Sequence, residues 1–247
     1  FPYTTLFRSK VSDTNANPYA DDASNNELEN LNTKSVKPGQ TLYYQVWLDT
    51  TQFDANNKDN IQTVGITDNY DEAKLDVKVS DIKAYDGKTG KDVTDKFNIS
   101  IANGVITANL KDGFTKSLGD AENTQIIDTT KFEFGRYYKF VIPAKVSDGA
   151  YDGAEIENTA AQVVNYYNPT TKKTEKPEKP TEKRVNNVPM AIQLIFGKTL
   201  NGRQLKDKEF NFVLKDEAGK VLETVQNDAK GKVTFSTINY GRDDLGK

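Results

Sequence analysis

The chain has 247 residues, with 33 basic and 36 acidic side chains and a formal net charge of −3. That length fits one large or two modest domains. No run approaches the roughly 18 apolar residues of a membrane-spanning helix, and the charge balance leaves no basic footprint for nucleic acid. Histidine and cysteine are both absent. Their absence removes Ser-His-Asp and Cys-His catalysis, imidazole general bases, zinc sites of the usual N/S type and any disulfide framework.

Phe1 to Ser9 reads FPYTTLFRS. It resembles the in-frame translation of a sequencing-adapter oligonucleotide, and residues 1–9 are set aside as a foreign scar. Glu27 to Leu31 offers one turn of helix at most. Beyond it, alternation of apolar and polar residues replaces the helical period. Thr41 to Leu48 reads as a strand entered through the turn Lys37-Pro38-Gly39-Gln40. Ile61 to Thr67, Leu75 to Val79 and Ile82 to Tyr85 follow, the last ending at Asp86-Gly87-Lys88-Thr89-Gly90. Phe97 to Ile101 and Val105 to Leu110 flank Asn103-Gly104, the strongest hairpin signal in the chain. Phe132 to Phe134, Tyr137 to Ala144 and Ile156 to Tyr166 complete the series. Short strands at this spacing, with turn chemistry between them, predict an all-β fold, an antiparallel Ig-like sandwich over residues 10–188.

Composition then shifts. Residues 168–184 carry Pro169, Pro177 and Pro180 around the repeat Glu175-Lys176-Pro177-Glu178-Lys179-Pro180. The segment has no strong apolar anchor and is solvated. It reads equally as an interdomain linker or as the tip of a long hairpin returning through Val185 to Val188. After Pro189 a second sheet pattern opens with Ile192 to Phe196, Glu209 to Leu214, Val221 to Val225 and Val233 to Thr237. That is too little to close a sandwich, so residues 189–247 read as the first part of a truncated second β-sandwich domain.

Acidic and amide clusters at Asp21-Asp22, Asp54 to Asp59 and Asp120 to Asn123 are candidate oxygen ligands for calcium, though none has the spacing of an EF-hand loop. Tyrosine-rich strands and Trp47 would line a sugar or peptide surface, or serve as core and cross-strand pairs, which alternation favours. A two-carboxylate glycosidase stays formally open, but nothing singles out a pair among the 36 acids.

Val36-Lys37-Pro38-Gly39-Gln40-Thr41-Leu42-Tyr43-Tyr44 through Trp47, with Ile66-Thr67-Asp68-Asn69-Tyr70-Asp71, Glu157-Asn158-Thr159-Ala160 and Val185-Asn186-Asn187-Val188-Pro189, resembles the isopeptide-forming C-terminal domains of the streptococcal antigen I/II adhesins. Lys198-Thr199-Leu200-Asn201-Gly202-Arg203, with Glu209-Phe210-Asn211-Phe212 and the Asp216 to Gly219 turn, is similar to the opening of streptococcal pilin isopeptide linker domains. The resemblance implies a stalk segment of a Gram-positive, cell-wall-anchored surface adhesin, acting as a monomer. Host or bacterial surface ligands would be bound through the full-length protein. An alternative is a binding module whose first sandwich itself carries a receptor or calcium site.

The resemblance further implies a lysine amine joined to an asparagine carboxamide with loss of ammonia, beside a buried acid. Burial lowers the lysine pKa and raises that of the acid, so that a neutral amine attacks while a protonated carboxyl shuttles protons. No cofactor is required, although calcium is compatible. The reaction is one turnover of the protein on itself and not enzymatic catalysis. Asn158 matches the acceptor asparagine and Asp68 the acid. By themselves they would read as an ordinary strand residue and an Asx-turn former. The position matching the reactive lysine is Ser9, within the stretch set aside, so the native lysine is expected to be missing. Lys10 is one residue out of phase, and alternation points it to the opposite face unless a bulge re-aims it. Lys198 matches the reactive lysine of the second domain, its partners expected beyond Lys247. The bare alternative for Lys198 is a solvated strand-end lysine. Cross-linking the terminal strands of the first domain closes a loop of order 150 residues, worth about 4–5 kcal/mol in the chain-entropy model.

Overall fold

The computed structural model describes residues 8–13, 31–53, 58–119, 123–150, 154–176, 181–188 and 190–240. The helical turn at residues 27–30, the Asp21-Asp22 pair, residues 54–57 and 120–122 of the acidic clusters, and the two chain ends lie outside them. The chain divides into two compact units, Phe1–Val188 and Pro189–Lys247.

The first unit is two antiparallel sheets face to face. One contains β1 (Arg8–Ser12), β2 (Thr41–Asp49), β10 (Tyr137–Val146) and β4 (Leu75–Val77), in that order, with β5 (Lys83–Asp86) also on β10. The other runs β12 (Lys173–Glu175), β11 (Glu155–Asn168), β3 (Ile61–Tyr70), β7 (Val105–Leu110), β6 (Phe97–Ala102), with β13 (Thr181–Asn187) also on β11. A small ribbon of β8 (Thr115–Ser117) and β9 (Gln125–Ile127) stands apart.

Alternation decides which residues meet between the sheets. Leu42, Tyr44, Val46 and Leu48 of β2 face inward beside Tyr138, Phe140, Ile142, Ala144 and Val146 of β10. They pack over Val64 and Ile66 of β3, Ile106 and Ala108 of β7, and Ile156, Ala160 and Val164 of β11. Each large apolar side chain so buried contributes about 1.5–3 kcal/mol. The β6–β7 hairpin turns on Asn103 (φ 50°) and Gly104 (φ 72°), both left-handed as a two-residue turn requires. Gly104 accepts the Tyr70 backbone N–H at 3.0 Å.

The structure differs from, or decides between, the readings made along the sequence at several places: β4 ends at Val77, with Val79–Asp81 in a 3-10 turn. Phe132 to Phe134 is a turn and not a strand. The carboxylate of Asp128 accepts from the Thr130 amide and hydroxyl, and its carbonyl takes the amides of Lys131 and Phe132. The rings still serve the core: Phe132 stacks on Tyr138 with centroids 4.8 Å apart. The stretch after β11 is a long hairpin and not a linker. The chain turns at residues 169–172, and β12 and β13 both return along β11, pairing with its second half (Tyr166↔Glu175) and its first half (Asn158↔Arg184). Residues 177–180 of the repeat lie outside the described residues. Finally, β1 begins at Arg8, inside the residues set aside at the start of the chain.

In the second unit β14 (Met190–Ile192) pairs with β19 (Ile238–Tyr240), β15 (Ile195–Gly197) with β18 (Lys232–Thr234), and β16 (Asn211–Lys215) with β17 (Val221–Gln226). Phe196, Val221 and Leu222 are each more than half exposed.

Candidate functional site

Along β3 the inward positions are Val64, Ile66, Asp68 and Tyr70, so the alternation that builds the core also places a carboxylate in it. Asp68 stands opposite Ala160 on β11 and Ile106 on β7. Asn158 stands opposite Tyr70, one step along the same face of β11. The two side chains meet diagonally: Asn158 Nδ2 donates to Asp68 Oδ2 at 2.8 Å. Both are buried, Asp68 at 0% and Asn158 at 1% exposure. Removal from water pushes the Asp68 carboxyl up to about 7, against the opposing effect of the Asn158 amide. Asp68 Oδ1 and Asn158 Oδ1 are buried without a hydrogen-bond partner. The pair is therefore an acid whose pKa burial raises to about 7, touching a carboxamide whose carbonyl lacks a donor.

The first strand lies beside this pair. Arg184 of β13 is the direct cross-strand partner of Asn158 and donates through Nη2 to the backbone carbonyl of Ser9. The pairing of β1 with β2 runs without a shift from Arg8↔Trp47 to Ser12↔Tyr43. Ser9 is opposite inward-facing Val46 and Val11 opposite Tyr44, so Ser9 shares the core side with Asp68 and Asn158. Lys10 is opposite Gln45, on the outer face. No bulge re-aims it, and the structure does not bring Lys10 to the acid–amide pair.

Three further residues lie near or behind this site. Tyr44, an inward position of β2, is fully buried with a hydroxyl that has no hydrogen-bond partner. Burial raises its phenol pKa first, and the charges of Asp68 and Asp71 raise it further. Arg184 was hidden in the charged run of residues 168–184, where only the pairing of β13 with β11 distinguishes it. Lys139 lies on the outer face of the β2/β10 sheet, fully buried, its Nζ 5.6 Å from the Trp47 ring centroid and without a hydrogen-bond partner. Desolvation pulls it down to about 8. A cation inside the run Tyr137-Tyr138-Lys139-Phe140-Val141-Ile142 was the available signal.

In the second unit Lys198 is half-buried, its Nζ 5.1 Å from the centroid of the Phe210 ring. Among the described residues of this unit the buried amide is Asn227, and it is already committed. Its Nδ2 donates to the carbonyls of Lys206 at 2.8 Å and Asp228 at 2.9 Å, and its Oδ1 accepts from the Phe210 amide at 2.8 Å. Among the described residues no group of three or more Asp or Glu is arranged to hold a metal ion.

The two-layer antiparallel sandwich is a fold this chain shares with bacterial pilin and adhesin domains. The chain belongs to the family of the cell surface antigen I/II C2 terminal domain, whose model matches residues 19–178. Aggregation substance of Enterococcus faecalis is 26% identical over 155 residues, a match covering 56% of this chain and 11% of that protein. The major pilin subunit BcpA of Bacillus cereus shares the fold at TM-score 0.51 and 18% identity, over 96% of this chain and 56% of that one. The C-terminal domain of the Streptococcus pyogenes antigen I/II-family protein AspA aligns over 74% of this chain and 47% of that one, at 10% identity and TM-score 0.45. The chain thus spans little more than half of the pilin's length and a small part of the aggregation substance.

Proposed function

We propose that this chain is a stalk segment of a Gram-positive cell-surface adhesin, and that its first sandwich is built to close an amide between the strand bearing position 9 and Asn158, with Asp68 as the assisting acid. The observation that carries this reading is the buried Asp68–Asn158 contact at 2.8 Å beside β1. An acid and an amide placed among Ile66, Ala160 and Ile106 cost stability unless they serve chemistry or are fully satisfied, and each retains an oxygen without a partner. A lysine at position 9 would enter from the inward face of β1. In that apolar setting its amine loses its proton more readily, which is the form that attacks. The reaction is a single self-modification and needs no external group. Attachment of the parent protein to the wall and recognition of host or bacterial surface ligands belong to the same proposal and rest on family membership.

The test is intact mass. Ser9→Lys is expected to yield a folded chain lighter by one ammonia. Adding Asn158→Ala or Asp68→Ala should restore the full mass. A folded Ser9→Lys chain that keeps its full mass would refute the reading.

A further inference from the structure

We propose that Arg184 is a positioning residue for this chemistry, seating β1 so that the side chain at position 9 faces Asn158. The role rests on the cross-link reading above. β1 lies at the edge of its sheet, with β2 as its strand partner, while Asn158 and Asp68 belong to the opposite sheet. Pairing with β2 fixes the height of β1 on its own sheet but not its distance from Asn158, so a tie across the sandwich is needed. Arg184 supplies it. The residue stands directly opposite Asn158 in the β11–β13 register, so the two side chains leave the same face of the sheet. Its Nη2 donates to the Ser9 carbonyl, and its Nη1 donates to the Lys183 carbonyl of its own strand at 3.0 Å. One rigid guanidinium fork thus bridges the backbones of β13 and β1 at the level of the site.

The neighbouring residues of β13 grip a different part of the chain. The Val185 carbonyl accepts the Thr33 amide at 2.8 Å, and Asn186 Nδ2 donates to the carbonyls of Leu31 and, at 3.1 Å, Lys34. That segment in turn reaches β1 at Val11, whose carbonyl accepts the Leu31 amide at 3.4 Å. β1 is thereby held at two inward positions, directly at Ser9 and through residues 31–34 at Val11. Because successive side chains alternate between faces, holding the Ser9 carbonyl at the level of Asn158 also decides that position 9, and not position 10, enters the core there. In the Ser9→Lys chain the amine nitrogen forms a bond to Asn158 Cγ, and the Cγ–Nδ2 bond breaks. The proton given up by the amine leaves on Nδ2 as ammonia. Arg184 takes no part in those bonds. It holds the strand in place while the lysine side chain meets the carboxamide, a contribution to rate through orientation.

Arg184→Ala and Arg184→Lys test this. In the otherwise unaltered chain, hydrogen exchange of the β1 amides is compared with that of β3 and β11. Arg184→Ala is expected to lower the protection of β1 roughly tenfold, the effect of one charge-assisted hydrogen bond. Protection of β3 and β11 should stay as it was, and so should the Asp68 titration followed by carboxyl carbon NMR. In the Ser9→Lys chain, intact mass follows the rate of ammonia loss. Arg184→Ala is expected to slow it roughly tenfold, and Arg184→Lys, which keeps the charge without the fork, to recover part of the rate. Protection of β1 that is unchanged, or that falls together with β3 and β11, overturns the assignment. So does an unchanged rate in Arg184→Ala, or an Asp68 titration that moves, which would make Arg184 an electrostatic partner of the acid. A Ser9→Lys chain that never loses ammonia with Arg184 in place defeats the cross-link reading instead, and the exchange pattern still decides whether Arg184 seats β1.

Discussion

Asp68 is the residue on which the site turns, and its protonation couples to folding. Its folded pKa of about 7 lies above the ordinary value of 3.8. Between those values the folded state holds a proton that the unfolded chain has released. The associated stability is fully present below about pH 4 and is lost as pH rises through 7. The first sandwich is therefore expected to be more stable to denaturant at pH 5 than at pH 8, by roughly 2–4 kcal/mol for a shift of this size. Asp68→Asn, which keeps an acceptor for Asn158, should flatten that dependence. Urea titrations at the two pH values check this, and equal slopes for the two proteins would show that Asp68 is ionised in the fold.

At the scale of strands, each sheet uses its two faces differently. The inner face of β2 and β10 builds the core, while the outer face buries Lys139 against Trp47. With its pKa lowered from 10.5 to about 8, the folded state binds fewer protons than the unfolded chain between those values. Stability should rise with pH through that window, and the cost of the buried cation is largest below it. Lys139→Met keeps the chain length and the contact with the indole. It is expected to stabilise the domain at pH 7 by roughly 1–3 kcal/mol, with the gain fading toward pH 10. Thermal melts across that range measure it, and a loss of stability at pH 7 would mean that the amine has a favourable role.

Strands were the part most legible in the sequence, because alternation and turn residues are local. Asn103-Gly104 and the run from Thr41 to Leu48 translate directly into a hairpin and a central strand. Phe132 to Phe134 misled, since three residues with two aromatics look extended while the Asp128 turn that bends them lies just upstream. Asp68 and Asn158 were singled out by family resemblance, and only register shows them one diagonal step apart. Arg184 and the burial of Lys139 were illegible for the same reason. Their importance comes from what stands opposite them on another strand, a property that no local window contains. Even so, the phase of β1 was legible: Ser9 faces inward and Lys10 outward, as alternation required.

For the whole molecule, the decisive feature is that β1 and the β11/β13 ribbon lie next to each other at the acid–amide pair. Strand hydrogen bonds there are worth only about 1 kcal/mol each, whereas an amide between positions 9 and 158 would carry tension through a covalent path. Single-molecule stretching of the first sandwich from its two ends tests this most directly. The chain with serine at position 9 should release its full contour on unfolding. The Ser9→Lys chain should fall short by the loop between the joined residues, roughly 500 Å at about 3.6 Å per residue, and Asn158→Ala should restore the missing length. Equal extension with and without the lysine would contradict the proposal.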